Sequence, residues 1–252
     1  MNPLGAEATD AVLTWGDGLH RSVALHHAAI HGRPGLWGDD RLRPSSAIWL
    51  RDGGDQWEAF GAGSAGPALE WLERAALGRS VVLAAPPSWE EIVRERVGRF
   101  TPIERSRVQT RLRPEAFADP MISAAVRPLV DGDAAAFQDV APAWALGSWG
   151  DFATLIDRGS AWGVAGRSGL AAVAWVVEAD HDRAKVGVAT DPRFRRLGLG
   201  RAVASALIRQ IEQEQRKLPL WVVNPANTAS VALARSLGFA TQVTETLVRW
   251  TP

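Results

Sequence analysis

Apolar positions recur at two periods along this chain, and the switch between them marks alternating strands and helices. Lys185 to Thr190 is short, apolar and rich in β-branched residues, and it stops at the turn-forming pair Asp191-Pro192, so it reads as a strand. From Leu199 the spacing becomes helical. Leu199, Val203, Leu207, Ile208 and Ile211 share one face, while Arg201, Arg209, Gln210, Glu212 and Glu214 take the other. Leu218 to Asn224 is then a buried strand. Asn227 to Leu237 is a short helix entered through an Asn cap, and Gly238-Phe239 stops it before a last hairpin.

The same reading extends upstream. The first fourteen residues lack periodicity and predict a loosely docked start. Asp17 to His31 is helical and ends at Gly32-Arg33-Pro34-Gly35. Ala47 to Arg51 and Trp57 to Gly61 form a strand pair, Ala65 to Leu77 a helix, and Val81 to Ala85 a buried strand. Ser88 to Gly98 is a helix with a capping box at Ser88 and Glu91, and Ser106 to Leu112 alternates as a strand. Leu112 to Pro120, framed by Pro114 and Pro120, is a linker. Asp133 to Trp144 and Ser148 to Ile156 are two helices, and Ala161 to Gly166 pairs with Leu170 to Glu178 through Arg167-Ser168-Gly169.

One order of elements occurs twice: strand, glycine-bearing turn, helix, strand, helix, glycine stop, strand. Val81-Val82-Leu83-Ala84-Ala85-Pro86-Pro87 corresponds to Leu220-Trp221-Val222-Val223-Asn224-Pro225, and Gly98-Arg99-Phe100 to Gly238-Phe239. Two accounts are open, a degenerate internal repeat or two unrelated α/β segments with a generic order. The first copy carries Gly61-Ala62-Gly63-Ser64-Ala65-Gly66 after its strand, without an arginine.

Composition narrows the function classes. Lys and Arg number 28 against 28 Asp and Glu, so no general electrostatic footprint exists for nucleic acid or an anionic membrane, although a local basic loop is allowed. Cys is absent, which excludes disulfides, thiolate metal sites and a cysteine nucleophile and fits a reducing compartment. No run approaches the roughly 20 apolar residues of a membrane span, and no basic segment followed by an apolar one opens the chain, so the expectation is a soluble cytoplasmic protein. His27 and His31 are one helical turn apart, as two metal ligands would be. No carboxylate or Cys accompanies them, so they read as packing or helix-surface residues and no metal is expected. There are twelve Trp and no Tyr.

The chemistry points to Arg195-Arg196-Leu197-Gly198-Leu199-Gly200, between the strand and the long helix. A glycine-bearing helix entrance offers unpaired N–H groups and the positive end of the helix dipole, which suits a phosphate or pyrophosphate. Val203 stands where a dinucleotide fingerprint needs its third glycine, and no Gly-Lys-Ser/Thr triplet of a Walker loop occurs. The remaining Arg-x-x-Gly-x-Gly resembles the pyrophosphate loop of the GNAT superfamily of acyl-CoA-dependent N-acyltransferases. Asn227 with Leu237-Gly238-Phe239 resembles that family's second motif, and Val126-Arg127-Pro128-Leu129 with Asp131-Gly132-Asp133 is similar to its first strand and helix start. The resemblance covers residues 120 to 252.

It implies a division of labour. Val188, Ala189 and Thr190 match the strand whose backbone serves the thioester and pantetheine arm, and Gly187 suits a bulge, a close approach or tight packing. The backbone of Arg196 to Arg201, including Leu197, Gly198, Leu199 and Gly200, would hold the CoA phosphates, with charge from Arg195, Arg201 and, less directly, Arg193. Asn227 is a helix cap and a contact to pantetheine or pyrophosphate. The family's frequent acid, a Tyr, falls on Ala234, leaving Ser230 one turn earlier on that face. The Glu of some relatives falls on Ala184, leaving Asp182 and Glu178, with His181, as proton relays or as ordinary turn residues. Trp144, Trp149 and Phe152 lie in the helices that wall the acceptor pocket, or are simply core.

The expected fold class is therefore α/β with a mixed sheet, a GNAT-like acyl-CoA N-acyltransferase fold and a tandem of two such domains. Residues 1–118 would form a degenerate copy and residues 119–252 an N-acetyltransferase domain. The expected activity is transfer of acetyl from acetyl-CoA to an amine of a small molecule or protein, by a monomer or homodimer with no metal, nucleic acid or membrane partner. A non-catalytic acyl-CoA-binding module and a protein-interaction scaffold are the alternatives.

Overall fold

Strand alternation in the N-terminal half resolves into two packed faces. The computed structural model describes residues 1–4, 8, 11–12, 20–41, 43–52, 57–76, 79–97, 103–111, 125–167 and 169–250. Contacts divide the chain into two compact units, residues 1–108 with 243–252, and residues 109–242. In the first, β1 (Asn2–Pro3), β2 (Leu36–Gly38), β3 (Ser46–Asp52) and β4 (Trp57–Gly63) run antiparallel in order, and β5 (Val81–Ala85) joins β4 in parallel. Helix α1 (His20–Ile30) precedes β2, and α2 (Ala65–Ala76) links β4 to β5. Ile48 and Leu50 face the core that holds Leu69 and Leu72 of α2, whereas Trp49 faces the core that holds Leu25 and Ala28 of α1, as the two-residue period of a strand requires. His27 is buried, with its ring 4.5 Å from that of His31 and 6.1 Å from Trp49.

After β5 come α3 (Glu90–Val97) and β6 (Ile103–Arg111). Pro86 and Pro87 reshape the expected Ser88 helix start. A 3-10 turn occupies Pro87–Trp89, closed by Trp89 N–H donating to the Pro86 carbonyl at 2.9 Å, and the α-helix begins at Glu90. The expected linker at 112–120 and the Gly98-Arg99-Phe100 stop lie outside the described residues.

The second unit orders its strands β11, β10, β9, β8, β7, with β7 (Val126–Pro128), β8 (Ala161–Gly166), β9 (Gly169–Ala179) and β10 (Arg183–Thr190) antiparallel in succession and β11 (Leu218–Val223) parallel to β10. Helix α4 (Ala134–Val140) is shorter than the apolar pattern suggests because Pro142 breaks it, and a 3-10 turn, Ala143–Leu146, follows. Helix α5 (Phe152–Arg158) starts four residues later than Ser148, where Asp151 caps it by accepting from Thr154 N–H at 2.7 Å. Helix α6 (Leu199–Gln213) packs Val203, Leu207, Ile208 and Ile211 into the core, and α7 (Thr228–Ser236) follows β11.

The last element is not a hairpin. Phe239–Trp250 is one strand, β12, because no Gly, Pro, Asn or Asp interrupts it to make a turn, and Thr246 to Trp250 pair antiparallel with β5. The final residues therefore group with the first unit although they follow the second in sequence. The start of the chain is likewise paired, Asn2 opposite Gly38, which the weak periodicity did not reveal. Among the described residues no helix is long and apolar enough to cross a membrane.

Candidate functional site

Two parallel strands that part company create the site. Among the described residues β10 pairs with β11 only from Arg183 to Lys185, opposite Leu218 to Leu220. The rest of β10 continues to Thr190 paired with β9 alone, which leaves every second backbone group on its other edge for a ligand. Val188, Ala189 and Thr190 are half-buried, in contrast to Val186 and Gly187 just before them, which are buried. The register against β9 shifts between Lys185 and Val186, where Val177 of β9 is skipped. The irregularity thus precedes Gly187, and Gly187 has a different reason: a Cβ there would stand 2.5 Å from Cε2 of Trp175, so the residue is small because an indole lies on it.

The strand runs into the loop through Asp191. Its carboxylate accepts from Arg193 N–H at 2.8 Å and pairs with the Arg193 guanidinium at 2.6 Å, and these hydrogen bonds hold its carboxyl below the usual carboxylate range. Arg193 is thus tied to the turn. Arg196 has φ of 62° and Gly198 has φ of 78°, so the chain reverses twice within three residues before α6 starts. Gly198 caps that helix without a side chain, and its carbonyl accepts from Ala202 N–H at 3.0 Å. The N–H groups of Leu199, Gly200 and Arg201 are therefore the free donors of the first turn. Arg195 reaches back weakly to the Thr190 carbonyl at 3.4 Å, and Arg195 to Gly198, with Arg201, are exposed. Leu197 is 59% exposed, unusual for a leucine that is not serving a partner. Gly200 sits against Thr190, since a Cβ would come 2.9 Å from its Oγ1.

On the β11 side, Asn227 caps α7 by accepting from Ser230 N–H at 3.1 Å, and its own amide N–H groups face solvent. Ser230 Oγ accepts from Trp221 Nε1 at 3.1 Å, which orients the hydroxyl and leaves its proton available. Ala234 and Ala184 are both fully buried.

The carboxylates separate. Glu178 is buried, and its oxygens accept from Ser148 Oγ at 3.1 Å and pair with Lys185 Nζ at 3.3 Å. Asp182 is exposed and contributes its backbone, accepting from Leu218 N–H at 2.7 Å. The turn beside it is built by Asp180, which pairs with Arg183 at 2.6 Å, and by Lys217, which donates to the Asp180 carbonyl at 2.6 Å and is pushed down in pKa by burial. The aromatic residues divide in the same way. Trp149 donates to the Val176 carbonyl at 2.7 Å and Phe152 packs on Phe137, both in the core, whereas Trp144 keeps 38% of its surface exposed and lies 5.7 Å from Trp175. Lys185, Ser148, Trp175 and Trp221 join the site without any signal in the sequence, because each lies in a run that reads as core or turn.

Solved structures share this arrangement of strands and helices. The protein resembles a GCN5-related N-acetyltransferase-like protein from Streptococcus suis at TM-score 0.71 and 18% identity, over 97% of this chain and 98% of that one. A tandem GNAT protein from the clavulanic acid biosynthesis pathway aligns at TM-score 0.67 and 14% identity, over 98% and 97%. An acetyltransferase of the GNAT family from Novosphingobium aromaticivorans aligns at TM-score 0.58 and 21% identity, over 81% and 87%. The fold is that of the GCN5-related N-acetyltransferases. Residues 162–248 also match the FR47-like protein family, a segment that holds β10, the Gly198 loop and α7. No curated protein matches the sequence. A GNAT fold supports acyl transfer in general.

Proposed function

We propose that residues 109–242 bind an acyl-CoA thioester, acetyl-CoA foremost, and transfer its acyl group to an amine of a small molecule or protein. The observation that carries this reading is the unpaired end of β10 leading directly into the Gly198 helix entrance, which sets a strand edge and a pyrophosphate cradle in line. Backbone N–H groups between Val188 and Thr190 would bond the pantetheine amides and the thioester oxygen, the α6 entrance with Arg195, Arg196 and Arg201 would hold the phosphates, and the Asn227 amide would meet the pantetheine arm. The amine nitrogen attacks the thioester carbon, the C–N bond forms, and the C–S bond breaks after the oxyanion collapses. The sulfur leaves as thiolate and takes a proton, and the ammonium loses one to water. Ser230 is oriented by Trp221 to hydrogen-bond the departing sulfur or a water beside it. Glu178, held by Lys185 and Ser148, is a relay only through water.

A second reading has its own support. With Ala184 and Ala234 buried where family members carry a base and an acid, the unit can serve as an acyl-CoA sensor without turnover. Calorimetric titration with acetyl-CoA tests the shared part, and free-thiol release across an amine panel separates the two. No binding of acetyl-CoA or of longer acyl-CoAs would end both.

A further inference from the structure

Four indoles of the second unit are buried or half-buried in its sheet and helices, and three have partners. Trp149 Nε1 donates to the Val176 carbonyl at 2.7 Å, Trp162 Nε1 to Gln210 Oε1 at 2.8 Å, and Trp221 Nε1 to Ser230 Oγ at 3.1 Å. Trp175 is fully buried, and its Nε1 meets no hydrogen-bond partner among the described residues. An unpaired buried donor is disfavoured and rare, which makes its position informative.

That position is fixed by Gly187. The indole carbon bonded to Nε1, Cε2, would lie 2.5 Å from a Cβ on Gly187, so the donor stands beside β10 one residue before Val188. Gly187 and Val188 point to opposite faces. Val188 and Thr190 face Gly200 at the α6 entrance, and Gly187 faces Trp175, whose ring meets Phe137 of α4 and Trp144. Trp175 also belongs to β9, the strand on the far side of β10 from the parting with β11. Its donor therefore lies on the face of β10 opposite the α6 entrance. The cover over it is uneven: Phe137 is buried and held in α4, whereas Trp144 is 38% exposed and stands on a 3-10 turn.

We infer that Trp175 Nε1–H is a specificity-determining donor for the acceptor. It takes an amine that carries a carbonyl oxygen close to its nitrogen, as an amino-acid amide or a peptide N-terminus does, and Trp144 turns aside to admit that oxygen. The inference rests on the acyltransferase reading of the same site. It assigns to the acceptor a second attachment point beside the reacting nitrogen, which orients the amine toward the thioester.

Indole resonances of the intact 15N-labelled chain test this without requiring turnover. The Trp175 signal, assigned through backbone connectivities, should move downfield when glycinamide is added to the CoA-saturated protein and stay in place with propylamine. In kinetics, Trp175→Phe should raise KM for glycinamide by about three- to tenfold more than it raises KM for propylamine, the worth of a neutral hydrogen bond, and an equal change for both amines overturns the inference. A Trp175 signal indifferent to glycinamide overturns the inference. So does one that moves equally with propylamine, or one that moves with acetyl-CoA alone, which would give the N–H to the acyl oxygen. Failure of the underlying reading looks different, because acetyl-CoA itself would then not bind by calorimetry.

Discussion

The end of β4 and the end of β10 are the same local design with opposite outcomes. In each unit an antiparallel strand precedes, a helix follows, and a parallel strand pairs with only part of the length, as far as Phe60 opposite Ala84 in one and Lys185 opposite Leu220 in the other. Each continues to a glycine with positive φ, 73° at Gly63 and 78° at Gly198. At β4 the ground beside the strand end is filled by the chain itself. Trp89 lies against Gly61 and donates its Nε1–H to the Gly63 carbonyl at 2.6 Å, and it is only 1% exposed. At β10 the last three residues are half-buried, and arginines flank the loop. Under the proposed function, Trp89 supplies at β4 the apolar surface and the hydrogen bond that a pantetheine arm would bring at β10.

The largest effect expected from breaking this comparison is in the first unit. Trp89→Ala removes a buried indole and its hydrogen bond, which costs about 3–5 kcal/mol by analogy with other large-to-small core changes, and the melting temperature should fall accordingly. Acetyl-CoA stoichiometry should stay at one per chain, since the loop from Gly61 to Gly66 has no arginine and the Ser45 carbonyl fills the space beside Gly63 where a Cβ would stand. Calorimetry of the variant checks both. A second acetyl-CoA bound would mean that Trp89 alone separates the two copies.

The next effect sharpens the second unit. Because Gly198 has φ of 78°, Gly198→Val strains the backbone by about 1–2 kcal/mol and also pushes an anion from the α6 donors. Losing even one charge-assisted hydrogen bond costs roughly 1.5–3 kcal/mol, so acetyl-CoA affinity should fall at least about tenfold while apo stability falls as well. Gly198→Asn divides these losses, since Asn tolerates the left-handed conformation. It should melt near the parent and still bind acetyl-CoA more weakly. Parent-like binding by a folded Gly198→Val protein would remove this loop from the functional reading.

What the sequence disclosed and what it hid follow one physical division. α6 is legible from its single buried face, β10 and β11 from short apolar runs and α7 from its Asn cap, and the glycine loop stands out because a helix entrance rich in glycine and arginine has few structural reasons to exist. Elements set by distant pairing stayed hidden. β2 is three residues long and forms only because β1 and β3 flank it, and Phe239 to Trp250 is one strand because β5 receives its end. Side-chain roles were least legible. Trp149 and Trp175 sit on either side of the same question, one paired to a carbonyl and one unpaired, and nothing in the order of residues distinguishes them. Gly187 suits a bulge, a close approach or tight packing by sequence, and packing is what the register shows, because Trp175 stands directly opposite on β9 and its indole fills the space.

The smallest expected effect concerns the leaving group. Ser230 is the one hydroxyl on the α7 face where an acid would stand, and Trp221 fixes it by donating at 3.1 Å, so its proton has a defined direction. A serine hydroxyl is far too weak an acid to transfer that proton fully at neutral pH, and its contribution is a single neutral hydrogen bond to sulfur or to a water. Ser230→Ala should therefore slow thiol release by about tenfold or less, with acetyl-CoA affinity almost unchanged. The variant also leaves the Trp221 indole without its acceptor, which lowers stability by about 1–3 kcal/mol if no water reaches it, so melting must be read beside rate. Trp221→Phe supplies the control: it frees the Ser230 hydroxyl without deleting it and should reproduce the stability change but only part of the rate change. A loss beyond about a thousandfold in folded Ser230→Ala would give this residue the acid's role outright and would make the second unit a committed enzyme rather than a sensor.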